Sequence, residues 1–185
     1  MKQKNKVSII MQSYNHAKYI RQSIESVLGQ TFTDFEFIII DDASTDESWS
    51  IINDYSDPRI RAYRNEMSKR VENTRWAISE LAVGEYIAIQ HSDDVWEMNK
   101  LEKQVTFLDS QPNIGAVFTW AHIIDDDGHP FQNEDHFYSH IFEQSNRTRH
   151  EWLNHFFYHG NALCHPSVPF RNAKGGKKTH CPCEI

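Results

Sequence analysis

Short runs of β-branched and aromatic residues alternate with segments of helical period, and the runs end in clusters of small polar and acidic residues. Residues 7–11 (V-S-I-I-M) read as a buried strand, as do 35–40, 60–63 and 86–89. Between them, Tyr19, Ile20, Ile24, Val27 and Leu28 recur at helical spacing, with Gly29 as a stop. Trp49, Ile52 and Tyr55 mark a second helix that Ser44 or Thr45 can cap. Residues 71–82 read as a third helix broken by Gly84, 101–108 as a fourth, and 116–120 as a fifth strand. Such alternation demands β-α-β crossovers and a Rossmann-like, mainly parallel sheet flanked by helices, an α/β fold in a single domain. In sheets of that kind ligands bind outside the carboxyl ends of the strands. The polar clusters at 13–16, 41–46 and 91–94 each fall at such an end.

Past Gly128 the pattern changes. Asp125, Asp126, Asp127 and Gly128 form a hairpin turn, and 129–160 is rich in His, Phe and Tyr, with a helix around 152–158. Residues 161–168 read as one more strand, whereas 169–185 holds few apolar residues and shows no element beyond a basic coil. A chain of 185 residues suffices for one domain with a sizeable core. Nineteen Lys and Arg against 26 Asp and Glu leave a net charge of −7, which argues against a general nucleic-acid binder. No apolar stretch is long enough to span a membrane, and the basic start carries no cleavage signature. Cys164, Cys181 and Cys183 are late and odd in number, so no disulfide framework is implied and a reducing cytoplasm is the default.

Three constellations carry chemistry. Asp41 and Asp42 end the second strand, where a carboxylate can accept from a nucleobase N–H or a ribose hydroxyl; a turn with a helix cap is the plainer reading of Ser44, Thr45 and Asp46. His91, Asp93 and Asp94 end the fourth, and one or two carboxylates with an imidazole suit a divalent cation completed by substrate phosphates. Taken alone, that cluster is weak evidence for a metal and more often a solvated acidic turn. Arg75, with Lys69 and Arg70, is the nearest approach to a basic patch for a pyrophosphate. The pairs His136/His140 and His155/His159 have chelating i,i+4 spacing, but no Glu or Cys pair supports zinc, and scattered histidines are the better reading. G-x-S-x-G, Walker A and G-x-G-x-x-G are absent, which removes the simplest hydrolase, P-loop and dehydrogenase readings.

The ordered runs V-S-I-I-M-Q-S-Y-N at 7–15, S-V-L-G-Q-T-F-T-D-F-E at 26–36, I-I-I-D-D-A-S-T-D at 38–46, G-E-Y-I at 84–87 and H-S-D-D at 91–94 resemble the family 2 glycosyltransferases. The resemblance covers about residues 6–168. It implies a GT-A fold, a donor-binding domain over 1–168, and an aberrant or disordered tail over 169–185. It implies that Gln12, Ser13, Tyr14 and Asn15 line the base of a nucleotide-sugar, with Tyr14 stacking on it, and that Asp41 or, preferably, Asp42 bonds the base edge. Arg75 would approach the base and phosphates. Asp93, with Asp94 and His91, would hold Mn2+ or Mg2+, Asp94 facing ribose, metal or acceptor. Two departures stand out: His91 takes the place of the first Asp of the family's D-x-D, and Trp76 replaces the Asn after Arg75. The acidic segment that supplies the family's general base is not found in 169–185, so no catalytic base is assigned.

The implied activity is inverting, metal-dependent transfer of a sugar, from UDP by preference, to a glycan or lipid-linked glycan hydroxyl in cell-surface polysaccharide synthesis. A lipid-linked acceptor would bring peripheral association with the inner face of the membrane, although no amphipathic basic helix announces it. The rivals are a nucleotide-sugar-binding fragment without turnover and, further off, a nucleotidyltransferase, which would bring a Gly- and Lys/Arg-rich loop after the first strand.

Overall fold

The computed structural model describes residues 5–131 and 140–173. Five strands form one sheet in the order β3-β2-β1-β4-β5. They are β1 Val7–Ser13, β2 Phe35–Asp41, β3 Ile60–Arg64, β4 Tyr86–His91 and β5 Pro169–Arg171. The first four run parallel, and β5 closes the edge antiparallel to β4. The helices are α1 Ile20–Leu28, α2 Ser48–Asn53, α3 Val71–Trp76, α4 Lys100–Ser110 and α5 Arg149–His159.

The strands read as unbroken apolar runs because both faces are covered. Ile9, Met11, Phe37 and Ile39 face one core, with Ile20, Ile24 and Val27 of α1, Ile52 of α2 and Leu101, Val105 and Leu108 of α4. Their neighbours Ile10, Ile38 and Ile40 face the other, against Ala77 and Ala82. This period of two is what a pleated strand imposes.

Three expectations needed correction. Residues 71–82 are not one α-helix: α3 ends at Trp76 and a π-helical turn, Ala77–Leu81, follows, with the Ala82 amide bonding the Ala77 carbonyl at 2.8 Å. Neither Ser44 nor Thr45 caps α2; Asp46 Oδ1 instead accepts from the Ser48 amide at 2.9 Å. The fifth strand is not 116–120 but Pro169–Arg171, in a stretch that reads as coil, while 161–168 is irregular with a 3-10 turn, His165–Ser167. Residues 115–117 still lie beside β5: Arg171 N bonds Gly115 O at 2.9 Å, Val117 N bonds Pro169 O at 3.2 Å, and Ala116 bridges Phe170.

The strand register aligns the polar clusters. Ser13 pairs with Asp41, Asp41 with Arg64, and Gln12 with His91. The three clusters therefore share one edge of the sheet.

Candidate functional site

The loops at that edge are tied to one another. After β1, Asn15 takes a left-handed φ of 55°, its amide donates to Ser44 Oγ at 3.0 Å, and its Oδ1 accepts from the Thr45 amide at 2.8 Å. His16 N bonds Ser48 Oγ and Ala17 N bonds Asp46 Oδ2, each at 2.9 Å. Among the described residues the non-glycine positions with positive φ are Asn15, Ala43 and Arg70, one in each of three loops here. Left-handed backbone costs about 1–2 kcal/mol per such residue, so surrounding bonds must hold it.

Asp42 supplies much of that hold. It is 1% exposed. Its Oδ1 accepts from Lys69 N at 2.7 Å, Asn73 Nδ2 at 2.7 Å and Asn65 Nδ2 at 2.9 Å. Its Oδ2 accepts from Ser68 Oγ at 2.6 Å and Arg70 N at 3.0 Å. Burial pushes the carboxyl up, but bonds from Ser68, Lys69, Asn65 and Asn73 outweigh it and hold the group well below the usual carboxylate range. Asp42, which the family resemblance implies bonds the base edge, braces the 65–73 segment with both oxygens. Asp41 differs: Oδ2 accepts from Ser44 N at 3.1 Å and lies 3.5 Å from Arg64 Nε, while Oδ1 is buried without a partner. The paired residue Ser13 has an equally orphaned Oγ. Buried polar atoms of that kind call for an explanation such as a ligand.

Tyr14 is half exposed and free to stack. Gln12 Oε1 meets Thr74 Oγ1 at 3.4 Å. Arg75, the next residue along α3, is exposed. Asn73 and Thr74 touch Asp42 and Gln12, so the start of α3 lies at the same edge.

Across β4 the His91 loop is fixed from below by α1. Ser23 Oγ donates to His91 O at 2.8 Å, Gln90 Nε2 donates to Ser23 Oγ and Asp94 O, and Trp96 N donates to Ser26 Oγ. One donor atom from each of His91, Asp93 and Asp94 lies within 4.8 Å of the others, and no other group of three metal-binding side chains occurs among the described residues. That donor set fits a divalent cation. His91 Nδ1 lies 3.3 Å from Asp94 Oδ2; this bond raises the imidazole's affinity for a proton against the opposing effect of burial. His16 Nδ1 bonds Ser92 Oγ at 2.8 Å and lies 3.9 Å from Asp93. The rings of His155 and His159 on α5 lie 5.0 Å apart, tilted by 35°, with no third ligand beside them among the described residues, and His136 lies outside those residues.

Sequence reasoning missed the partners. Asn65, Ser68 and Asn73 around Asp42, His16 beside Asp93 and Arg64 beside Asp41 carry no local signature. Lys100 was also missed: its Nζ is buried over the Trp96 ring, 3.7 Å from the centroid, and burial pulls its pKa down to about 7.

The family model for glycosyl transferase family 2 matches residues 8–168. The chain belongs to that family. Escherichia coli WfaP, a UDP-Glc:alpha-D-GlcNAc-diphosphoundecaprenol beta-1,3-glucosyltransferase, is 40% identical over 105 residues, 57% of this chain and 42% of the relative. S. aureus TarS 1-349 in complex with UDP superposes with a TM-score of 0.68 at 22% identity, over 91% of this chain and 47% of that one. A mannosyltransferase from Pyrobaculum calidifontis, in complex with GDP-Man and Mn2+, gives 0.57 at 22% identity, over 66% and 37%. The chain spans less than half the length of each. As a family 2 glycosyltransferase domain, it has the GT-A architecture: a mostly parallel sheet with flanking helices. Among the described residues no helix is long and apolar enough to cross a membrane.

Proposed function

We propose that this chain is the donor-binding part of a sugar transferase that takes a nucleotide-sugar, UDP-linked by preference, and a divalent ion at the carboxyl edge of its sheet. The carrying observation is the convergence there of two sites: the wall braced by Asp42 and the His91–Asp93–Asp94 donor set within 4.8 Å. The UDP and GDP-Man of the structural neighbours and the UDP-Glc in the name of WfaP support that donor class. The diphosphoundecaprenol acceptor in the same name supports a lipid-linked glycan hydroxyl as acceptor; such an acceptor would bring the chain to the inner membrane face.

Tyr14 stacks on the base, and Gln12, Ser13 and Asn15 shape the floor beneath it. Asp41, with its orphan but fully buried Oδ1, becomes an acceptor for a ligand N–H or O–H once the loop above it opens, while Asp42 holds the 65–73 wall in place. Arg75 faces the diphosphate with its guanidinium. Bound Mn2+ or Mg2+ would supply charge neutralisation at the departing diphosphate. Transfer by inversion forms a bond from the acceptor oxygen to the sugar's anomeric carbon as the bond to the diphosphate breaks. The acceptor's proton needs a carboxylate in reach.

Calorimetric titration of UDP, with and without Mn2+, into the wild type and Asp93→Ala tests the reading. Metal-dependent binding that the variant loses is the expected result. A folded wild type that takes up no UDP under either condition overturns it.

A further inference from the structure

We propose that the apolar cavity between α4 and α5 seats the hydrocarbon chain of the acceptor: it takes the first prenyl units of a polyprenyl diphosphate, whose sugar end then reaches the carboxyl edge of the sheet. This assignment rests on the lipid-linked acceptor proposed above and deepens it by naming the surface that takes the lipid.

The cavity has a volume of about 210 Å3. Phe107 of α4, Val117, Phe118 and Trp120 of the following segment, Phe142 and Leu163 line it, and Trp152 adds a wall from α5. Its indole N–H groups are already taken: Trp120 Nε1 donates to Gln144 O at 3.3 Å and Trp152 Nε1 to Asn146 Oδ1 at 3.4 Å. Pockets that enclose a drug-sized ligand measure roughly 300–1,000 Å3, so this one suits a short stretch of chain. Apolar surface continues outside it. Trp120 is 66% exposed, and Leu153 and Phe157, one turn apart on α5, are 56% and 82% exposed. Large apolar side chains gathered at a surface in this way mark a contact site.

The 164–167 turn joins this cavity to the polar edge. Cys164 lines the cavity, and the ring of the next residue, His165, lies 6.5 Å from the ring of His91. Pro166 O accepts from Trp96 Nε1 at 3.2 Å and Ser167 O from Gln104 Nε2 at 2.6 Å, which pins the turn to α4 and the loop before it. Burial, with the Asp94 charge adding to it, pushes the Cys164 thiol up, as closeness to the His91 loop requires. An apolar cavity one turn of chain away from a polar edge matches a ligand with a hydrocarbon tail and a sugar head. A free glycan would strand its hydroxyls there. Charge suits the linking diphosphate. In a chain of net charge −7, Arg147 lies over the Trp152 ring, 4.8 Å from its centroid, and Arg149 opens α5. The acid of that turn, Glu151, is engaged by Thr148 N and Oγ1 at 2.8 and 2.7 Å.

Isothermal titration of dimethylallyl, geranyl, farnesyl and geranylgeranyl diphosphate into the chain, beside inorganic diphosphate and UDP, reads the dependence on chain length. Each buried CH2 is worth roughly fourfold in affinity. Binding should therefore tighten by about tenfold or more from the shortest probe to the middle of the series, and level off once the cavity is full. In Leu163→Trp, which fills the cavity, and Trp120→Ala, at its exposed rim, that gain should fall roughly tenfold while UDP affinity stays unchanged. Wild-type affinity that ignores chain length overturns the proposal, and this readout needs no variant to fold. Affinity that climbs without levelling, or binding to phosphatidylcholine vesicles as tight as to farnesyl diphosphate, marks a general lipid surface and also overturns it. A wild type that binds UDP but no prenyl diphosphate removes the cavity's role and leaves the donor reading standing. One that binds the prenyl series as expected but not UDP keeps the cavity's role and removes the donor reading.

Discussion

Asp42→Asn isolates what the brace around Asp42 is worth. The side chain keeps its shape and loses its charge and one acceptor. If the amide oxygen takes the Oδ1 place, the contacts from Lys69, Asn65 and Asn73 survive as neutral bonds, and the Ser68 hydroxyl can turn round to accept. The Arg70 amide, 3.0 Å from Oδ2, then faces an NH2 group and is orphaned. Bonds to a charged group are worth about 1.5–3 kcal/mol against 0.5–1.5 for neutral ones, and a stranded buried donor costs about 1–3, so the loss is roughly 4 kcal/mol. That is a large share of the stability of any single domain. Urea unfolding gives the total, and hydrogen exchange at the Lys69 and Arg70 amides localises it. The sign with pH is also fixed. Because the folded carboxyl sits below its ordinary range, its contribution is present above about pH 4 and fades as pH falls further, whereas Asp42→Asn shows no such fade. A loss below about 1 kcal/mol with unchanged amide protection refutes the brace. If UDP affinity collapses while stability holds, Asp42 is a direct ligand contact.

Three further perturbations follow from the same geometry. Gly84→Ala puts a Cβ 2.4 Å from Ser8 N, 2.7 Å from Val7 C and 2.8 Å from Tyr86 O, all backbone, and is expected to cost about 3 kcal/mol; a wild-type melting temperature would refute that. Lys100→Met removes a buried amine whose pKa burial lowers from 10.5 to about 7. The unfolded chain binds that proton more tightly, so wild-type stability should rise between about pH 7 and 10, while the variant should be flatter and melt higher at pH 7; a variant that melts lower and keeps the slope refutes it. Tyr14→Ala, at a side chain 49% exposed, should leave melting unchanged and weaken UDP binding by about tenfold or more, since base stacking on an aromatic is worth about 1–3 kcal/mol; unchanged affinity removes Tyr14 from the base site.

The parallel core was legible because burial on both faces writes itself into the chain as apolar runs, and crossover helices separate those runs. The antiparallel edge was not. Pro169, Phe170 and Arg171 form a strand through their neighbours: Arg171 reaches the carbonyls of Leu108 and Ile114 at 2.6 and 2.9 Å and the Tyr86 hydroxyl at 3.1 Å. The run at 116–120 has strand composition but only one bridge to β5, so propensity lost to pairing. The break between α3 and the π-helical turn left no mark in the residues, since Ala77 to Leu81 suit an ordinary helix.

The same contrast explains the site. Residue types at strand ends singled out His91, Asp93 and Asp94, and the structure brings their donor atoms within 4.8 Å of one another, because three donors within four positions of one turn stay close however the rest of the chain packs. Asp42 was singled out too, but the donors around it were not, because four of the five lie 26 to 31 positions away and the nearest is 23 away. What brings them together is register. Asp41 faces Ser13 on one side and Arg64 on the other, and a slip of one residue in either pairing would turn Asp41 to the opposite face relative to its partners. The apolar cores on both sides forbid that slip, since it would bury the wrong alternate side chains of β1 and β2. The core therefore does more than stabilise the domain: by fixing register, it places an acidic pair, a tyrosine and the His91–Asp94 turn along one edge.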